Sequence, residues 1–238
     1  MQVLFDVVLN RAERSMGCFM SSLECHISSS KLCIMQLTGG NMVKTTKMLR
    51  EELGGYHDRA NKIARMVRDG EIVPVVRGLY ETDADAAPWP LAGCIYGPSY
   101  ISFESALAFY GLIPEGVRAV TSATFEKGRF KAYETPFGSF LYRDVPARAF
   151  PYGIVTREEG GLSFRIATPE KALCDKVSTM PPAANRAELE TLLYDDLRLD
   201  WEDLAELSVD DVAFLAERYP SRNVRKLAKY LKDGLEDE

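Results

Sequence analysis

The sequence predicts an α+β protein: a small two-helix unit closed by a hairpin, then a mixed α/β domain that ends in helices. Three observations predict it. Apolar residues recur at helical spacing on both sides of a glycine turn over residues 44–69, and a short β-branched hairpin follows at 72–81. Strand-like segments separated by glycine and proline turns fill residues 117–167. Helical patterns then run from 169 to 232, broken by Pro181-Pro182. The chain has 238 residues, 46 % hydrophobic and 27 % charged, which excludes a disordered or collagen-like protein and allows a substantial core.

Residues 1–41 stand apart. They hold Cys18, Cys25 and Cys33 and a serine-rich stretch, Ser21–Ser30, with weak periodicity. The expectation is a poorly ordered extension, or sequence upstream of a natural start at Met42 (or Met35). The competing reading makes Val3–Met16 a short helix. The Val3–Leu9 run is split by Asp6 and is not read as a signal peptide.

From Met42 the pattern sharpens. Lys44–Leu53 is expected as a helix with Leu49 and Leu53 four apart, ended by Gly54-Gly55. Asp58 caps the next helix, Arg59–Asp69, by accepting a backbone N–H. Its expected inward face is Ala60, Ile63, Ala64 and Val67, which leaves Arg59, Lys62, Arg65 and Arg68 outside. Ile72–Val76, the turn Arg77-Gly78 and Leu79–Glu81 make the hairpin. Thr82–Pro90, rich in Asp, Ala and Pro, is expected as a linker.

The second domain opens with apolar Leu91–Tyr96, and Ser102 caps a helix running to Tyr110. Strand candidates are Val117–Thr124, Phe130–Thr135, Ser139–Arg143, Phe150–Thr156 and Leu162–Ala167. Thr168-Pro169-Glu170 starts a helix to about Thr179: Thr caps, Pro fits the first turn, and Glu favours the positive end. Four more helices are expected at Asn185–Tyr194, Trp201–Leu207, Val209–Arg218 and Ser221–Lys232. The domain expectation is therefore 1–41 extension, 42–82 first domain, 83–90 linker, 91–180 α/β domain and 181–238 helical subdomain.

The net charge is −6 with a sequence pI near 5.2, which over the whole chain speaks against phosphate binding. The charge is uneven. Met42–Thr82 carries eight basic and six acidic residues, whereas Asp195–Glu217 carries nine acidic residues against Arg198 alone. A solvated helical face explains the acidic block, and an exposed face alone would explain the basic helix. The order of elements favours more. Two helices followed by a hairpin form the core of a winged helix-turn-helix, in which the helix before the wing enters the major groove and the wing meets the backbone. The fold class expected is thus α+β, an N-terminal winged helix-turn-helix followed by a mixed α/β domain with a helical C-terminal part. Winged helices usually have three helices and only two are found after Met42; a third would have to come from residues 1–41.

Three patches carry a family resemblance. VRDGEIVPVVRGLYE at 67–81 looks like the wing segment of AbiEi-type antitoxins. SYISFESALAFYGLIPE at 99–115 and RIATPEKALCDKV at 165–177 match two further patches of that family in the same order. The resemblance covers roughly Met42 to the C-terminus. It implies an antitoxin of a type IV, abortive-infection toxin–antitoxin system that also represses its own operon. The implied partners are operator DNA and a nucleotidyltransferase-like toxin, in the cytoplasm, with no membrane and no cofactor. Carried over, the DNA surface is Arg59, Asn61, Lys62, Arg65, Arg68 and Arg77. The antitoxin patches contribute Ser102, Ser105, Thr168, Glu170, Lys171 and Asp175. Packing explains much of these: Ser102 and Thr168 as caps, Glu170 as a dipole partner, Lys171–Asp175 as an i, i+4 pair.

The alternative from another class is a nucleic-acid enzyme, chiefly a metal-dependent nuclease using Asp144, Glu170, Lys171 and Asp175. Its usual carboxylate-x-lysine spacing is absent, because Glu170 and Lys171 are adjacent. Gly138-Ser139 has no Asp-x-Asp strand after it, and Asp83-Ala84-Asp85 lies upstream. There is no phosphate-binding glycine loop and no nucleophile elbow at Gly97–Ile101. His26 and His57, the two histidines, leave few triads. The spacings of Cys18, Cys25, His26 and Cys33 fit no common zinc pattern. Five cysteines without C-x-x-C read as reduced thiols. No stretch reads as a membrane span: Leu91–Leu112 is broken by Gly93, Gly97, Pro98, Glu104 and Gly111.

Overall fold

The computed structural model describes residues 43–114 and 116–236. The expectations for residues 1–41 lie outside the described residues. The chain begins with strand β1 (Val43–Thr45), which leads straight into helix α1 (Thr46–Glu52). The apolar spacing suggests one helix from Lys44. Instead the Thr45 side chain accepts the Met48 N–H (3.3 Å) and caps a helix that starts at Thr46. Helix α2 (Arg59–Arg68) is capped by Asp58, whose carboxylate accepts the Asn61 N–H at 3.0 Å.

Strands β2 (Val73–Val76) and β3 (Leu79–Glu81) are joined by Arg77-Gly78. Gly78 has φ +86°, a left-handed conformation that a side chain would strain. β1 pairs antiparallel with β3, giving a three-stranded sheet in the order β1-β3-β2. The Thr46 N–H donates to the Gly78 carbonyl (2.9 Å), which ties the hairpin turn to the start of α1. Leu49, Ile63 and Ile72 form a small core, lined by Leu53, Met66, Val67 and Tyr80. Ala60 and Ala64 are exposed, contrary to the expected inward face. The larger Met66 and Val67 set the orientation because they have more apolar area to hide.

Helix α3 (Pro88–Ile95) starts within the segment expected as linker. Its prolines occupy the first turn, where no N–H is needed. Then come β4 (Tyr100–Ile101), α4 (Phe103–Phe109), β5 (Ala119–Thr124), β6 (Lys131–Thr135), β7 (Gly138–Asp144), β8 (Ile154–Glu159) and β9 (Leu162–Ala167). They form a six-stranded mixed sheet in the order β6-β7-β5-β4-β9-β8. β5–β7 and β4–β9 are parallel and the other pairs antiparallel. The strand expected from Phe150 begins only at Ile154, because Pro151 and Gly153 (φ +66°) turn the chain first.

Helix α5 (Pro169–Ser178) buries Ala172, Leu173, Cys174 and Val177. Helix α6 (Arg186–Glu190) runs on into a π-helical turn (Thr191–Asp196) and is followed by α7 (Trp201–Ala205), α8 (Val209–Ala216) and α9 (Arg222–Glu236). Val212, Leu215, Val224, Leu227 and Leu231 join the large core with the sheet and α5. The architecture is mixed α+β. No helix among the described residues is long and apolar enough to cross a membrane.

Candidate nucleic-acid interface

The exposed face of α2 consists of Ala60, Asn61, Ala64, Arg65 and Arg68. Those positions follow i, i+1, i+4, i+5, i+8 and fall on one stripe of a helix. Ala60 and Ala64 form one edge of the stripe, and Arg68, Asn61 and Arg65 follow in that order around the helix. The expected cations differ in how they are engaged. The Arg59 guanidinium donates to the Gly54 carbonyl at 3.2 Å. Lys62 is partly buried and pairs with Glu71 at 3.6 Å, and Arg68 lies 3.6 Å from Asp69. Arg65 and Arg77 are exposed and make no ion pair among the described residues. Arg77 stands at the tip of the β2–β3 hairpin. Lys47, Arg50 and Arg59 border an open groove of about 480 Å³ between α1 and the start of α2.

Asn61 donates its side-chain N–H to Asp58 Oδ2 at 2.7 Å, and its amide oxygen can still accept a hydrogen bond. Hydrogen bonds from the Asn61 backbone and side chain hold the Asp58 carboxyl below the usual carboxylate range. The stripe thus offers guanidinium donors suited to phosphate or guanine, an amide acceptor, and two methyl groups able to meet a thymine methyl.

The six residues of the second set occupy a different part of the molecule. Lys171 and Asp175 are both 0 % exposed and pair at 3.0 Å. Around Asp175 the structure adds partners that sequence spacing does not show. Tyr100 and Ser102 donate to Oδ2 at 3.0 and 2.7 Å. Tyr219 donates to Oδ1 and accepts from the Lys171 ammonium. That ammonium also lies over the Tyr219 and Tyr100 rings, at 4.8 and 5.6 Å from their centroids. Burial first, and then the Asp175 charge, raise the Tyr219 and Tyr100 phenols far above their ordinary value. Both therefore stay protonated as donors.

Ser102 occupies the N-cap position of α4 but its hydroxyl makes no cap bond; it serves Asp175 instead. Ser105 locks onto β5: its hydroxyl donates to the Ala119 carbonyl (3.1 Å) and accepts the Thr121 N–H (2.8 Å). Thr168 caps α5 through the Lys171 N–H at 3.3 Å, as expected. Glu170 accepts the Ser208 N–H (3.2 Å), joining α5 to the start of α8. Of the carboxylates weighed for a nuclease, Asp175 is sealed, Glu170 holds Ser208, and Asp144 accepts from Thr124, Lys127 and Gly128. Among the described residues, no three His, Cys, Asp or Glu side chains gather as a metal-holding group. Burial pushes the Cys174 thiol up, which keeps it protonated.

No family model and no curated protein matches the chain. Among solved structures it is similar to the RV2827C protein from Mycobacterium tuberculosis, with a TM-score of 0.51 at 17 % identity. The match covers 81 % of this chain and 71 % of that one. A likeness at this identity speaks to the fold.

Proposed function

We propose that the protein is a DNA-binding transcriptional autorepressor and the antitoxin of a type IV, AbiE-like toxin–antitoxin system, acting in the cytoplasm. β1-α1-α2-β2-β3 then corresponds to the helix pair and wing of a winged helix-turn-helix. The single observation that carries the DNA reading is the open stripe of α2 standing with Arg77. Arg65 and Arg77 make no ion pair among the described residues, in a chain of net charge −6, although the Arg65 charge helps to lower the Asp58 carboxyl. β1 supports it too, because a third strand paired to the wing belongs to that arrangement. The antitoxin half, and a nucleotidyltransferase-like toxin as functional partner, rest on the three sequence patches. In this reading Ser102, Ser105, Thr168, Glu170, Lys171 and Asp175 build the domain around the antitoxin surface and do not touch a partner themselves.

The test is a salt-dependent titration of the protein against duplex DNA from its own upstream region. Wild type binds, and Arg65→Ala with Arg77→Ala lowers the slope of log K against log salt by about 1.8, which is about 0.9 for each phosphate that is no longer neutralised. A wild type that binds no duplex at low salt overturns the reading.

A further inference from the structure

A second basic surface lies on the six-stranded sheet, and its construction resembles a built contact. Between residues 118 and 148 six basic residues face three acidic ones. Three of the cations, Lys127, Arg129 and Lys131, come from the β5–β6 loop and the first residue of β6. The loop is clamped: Asp144 Oδ2 accepts the Lys127 and Gly128 N–H groups, each at 2.7 Å, and Oδ1 accepts the Thr124 hydroxyl at 2.6 Å. Asp144 is thereby turned onto backbone N–H groups and makes no ion pair with these cations among the described residues. Glu134 is likewise held, by the Ser139 hydroxyl at 2.5 Å. Phe125 anchors the loop base on Phe150, with centroids 4.4 Å apart.

Arg143 belongs to the other face of the sheet, since its neighbour Tyr142 is the residue opposite Lys131; it lies 6.0 Å from the Phe103 centroid and 5.7 Å from that of Phe130, and its charge acts on Glu104. Phe130 is 55 % exposed. Arg129 and Lys131 make no ion pair among the described residues. A clamped loop that presents cations outside any ion pair loses little entropy when it meets an anionic polymer. The loop also leads into the strand that meets the small sheet. β6, the outer strand of the large sheet, packs beside β2, the outer strand of the small one. β6 has five residues, so it is roughly 17 Å long, about half of one duplex turn.

We infer that the β5–β6 loop, through Lys127, Arg129 and Lys131, is a second contact to the backbone of duplex DNA, alongside α2 and the hairpin. The inference rests on the DNA reading above, and one titration separates the two. Binding of the full chain to its upstream duplex and to an unrelated duplex is measured between 50 and 200 mM salt for wild type, Arg129→Ala with Lys131→Ala, and Arg65→Ala with Arg77→Ala. Each melt is checked to show that the fold is kept. The loop variant is expected to lose about 1.8 from the salt slope. Over that salt range wild type then loses about twelvefold more affinity than the variant. The effect is equal on both duplexes, because backbone contacts carry no sequence information.

An unchanged slope in the loop variant, with a reduced slope in the α2–hairpin variant, overturns the second contact and leaves the first. The reverse pattern keeps the loop and overturns the first surface. Preference for the single strand over the duplex overturns the proposal, and a wild type that binds neither duplex overturns both readings.

Discussion

Asp175→Ala tests the physics of the sealed cluster most directly. Asp175 is 0 % exposed and accepts four hydrogen bonds, from Lys171, Tyr219, Tyr100 and Ser102. Alanine leaves an ammonium in a site with no access to water, along with three hydroxyls deprived of their acceptor. Removing one partner of a buried pair costs about 3–5 kcal/mol. For a chain of this size each kcal/mol lowers Tm by about 2–4 °C, so the expected drop is about 6–20 °C. Lys171→Met should cost less. It leaves a carboxylate that still accepts three O–H donors, and it removes a charge while keeping most of the volume. The double variant, Lys171→Met with Asp175→Leu, should cost less than the two single changes added together, because it strands no charge. Urea and thermal unfolding followed by circular dichroism measure all three. The reasoning fails if Asp175→Ala lies within about 1 kcal/mol of wild type, or if the double variant is additive to within about 0.5 kcal/mol.

Gly153→Ala should destabilise the same region. Its φ of +66° costs a side chain about 1–2 kcal/mol, and a Cβ there would lie 2.7 Å from Lys171 Cβ, so a melt equal to wild type refutes the close approach. Glu104 supplies a pH dependence: burial pushes its carboxyl up, but the hydrogen bond and charge of Lys176 at 2.5 Å, with Arg143 beyond, outweigh that and lower it. A folded pKa below the unfolded one gives stability that is present above the ordinary carboxylate range and disappears as pH falls through the folded value. Wild type and Glu104→Gln should therefore converge in unfolding free energy below about pH 4, and a gap that persists at lower pH refutes the pairing.

The parts of the site that are local are legible in the sequence, and those that are not local are hidden. Lys171 and Asp175 stand four apart on a helix opened by Thr-Pro-Glu, so their pairing is readable from spacing. Tyr100 and Tyr219 reach the same carboxylate from 75 and 44 positions away, and no periodicity announces such a meeting. Ser102 shows how a local rule loses. It has the right residue type and position for a cap, but a buried carboxylate is the stronger acceptor and takes its hydroxyl. β1 and β4 are three and two residues long, too short to show a period. The stripe of α2 misleads for another reason. Alanine fits either face of a helix, so the helix is oriented by Ile63, Met66 and Val67, and the two alanines fall on the open side. The basic residues are visible in the sequence, but which of them carry ion pairs is not. Lys62 and Glu71 meet only because the chain turns at Gly70.

The β2–β3 hairpin decides how these pieces act together. Along β3, Leu79 is buried in the large core while Tyr80 packs against the small one, as the twofold alternation of a strand requires. On the other arm Ile72 belongs to the small core and Val75 to the large. The hairpin is therefore a wall shared by both cores, and the small sheet cannot turn relative to the large one without uncovering apolar side chains on one side of it. Its turn is held as well, by the Thr46 N–H on the Gly78 carbonyl. A duplex seated on α2 with a phosphate at Arg77 would thus meet the β5–β6 loop at a fixed angle. In the proposed complex, phosphate contacts on such a rigid pair of surfaces would set register and orientation, and the Asn61–Arg65 stripe would read base edges. Sequence preference should accordingly reside in α2 alone, and the loop should change affinity and salt slope without changing which duplex is preferred.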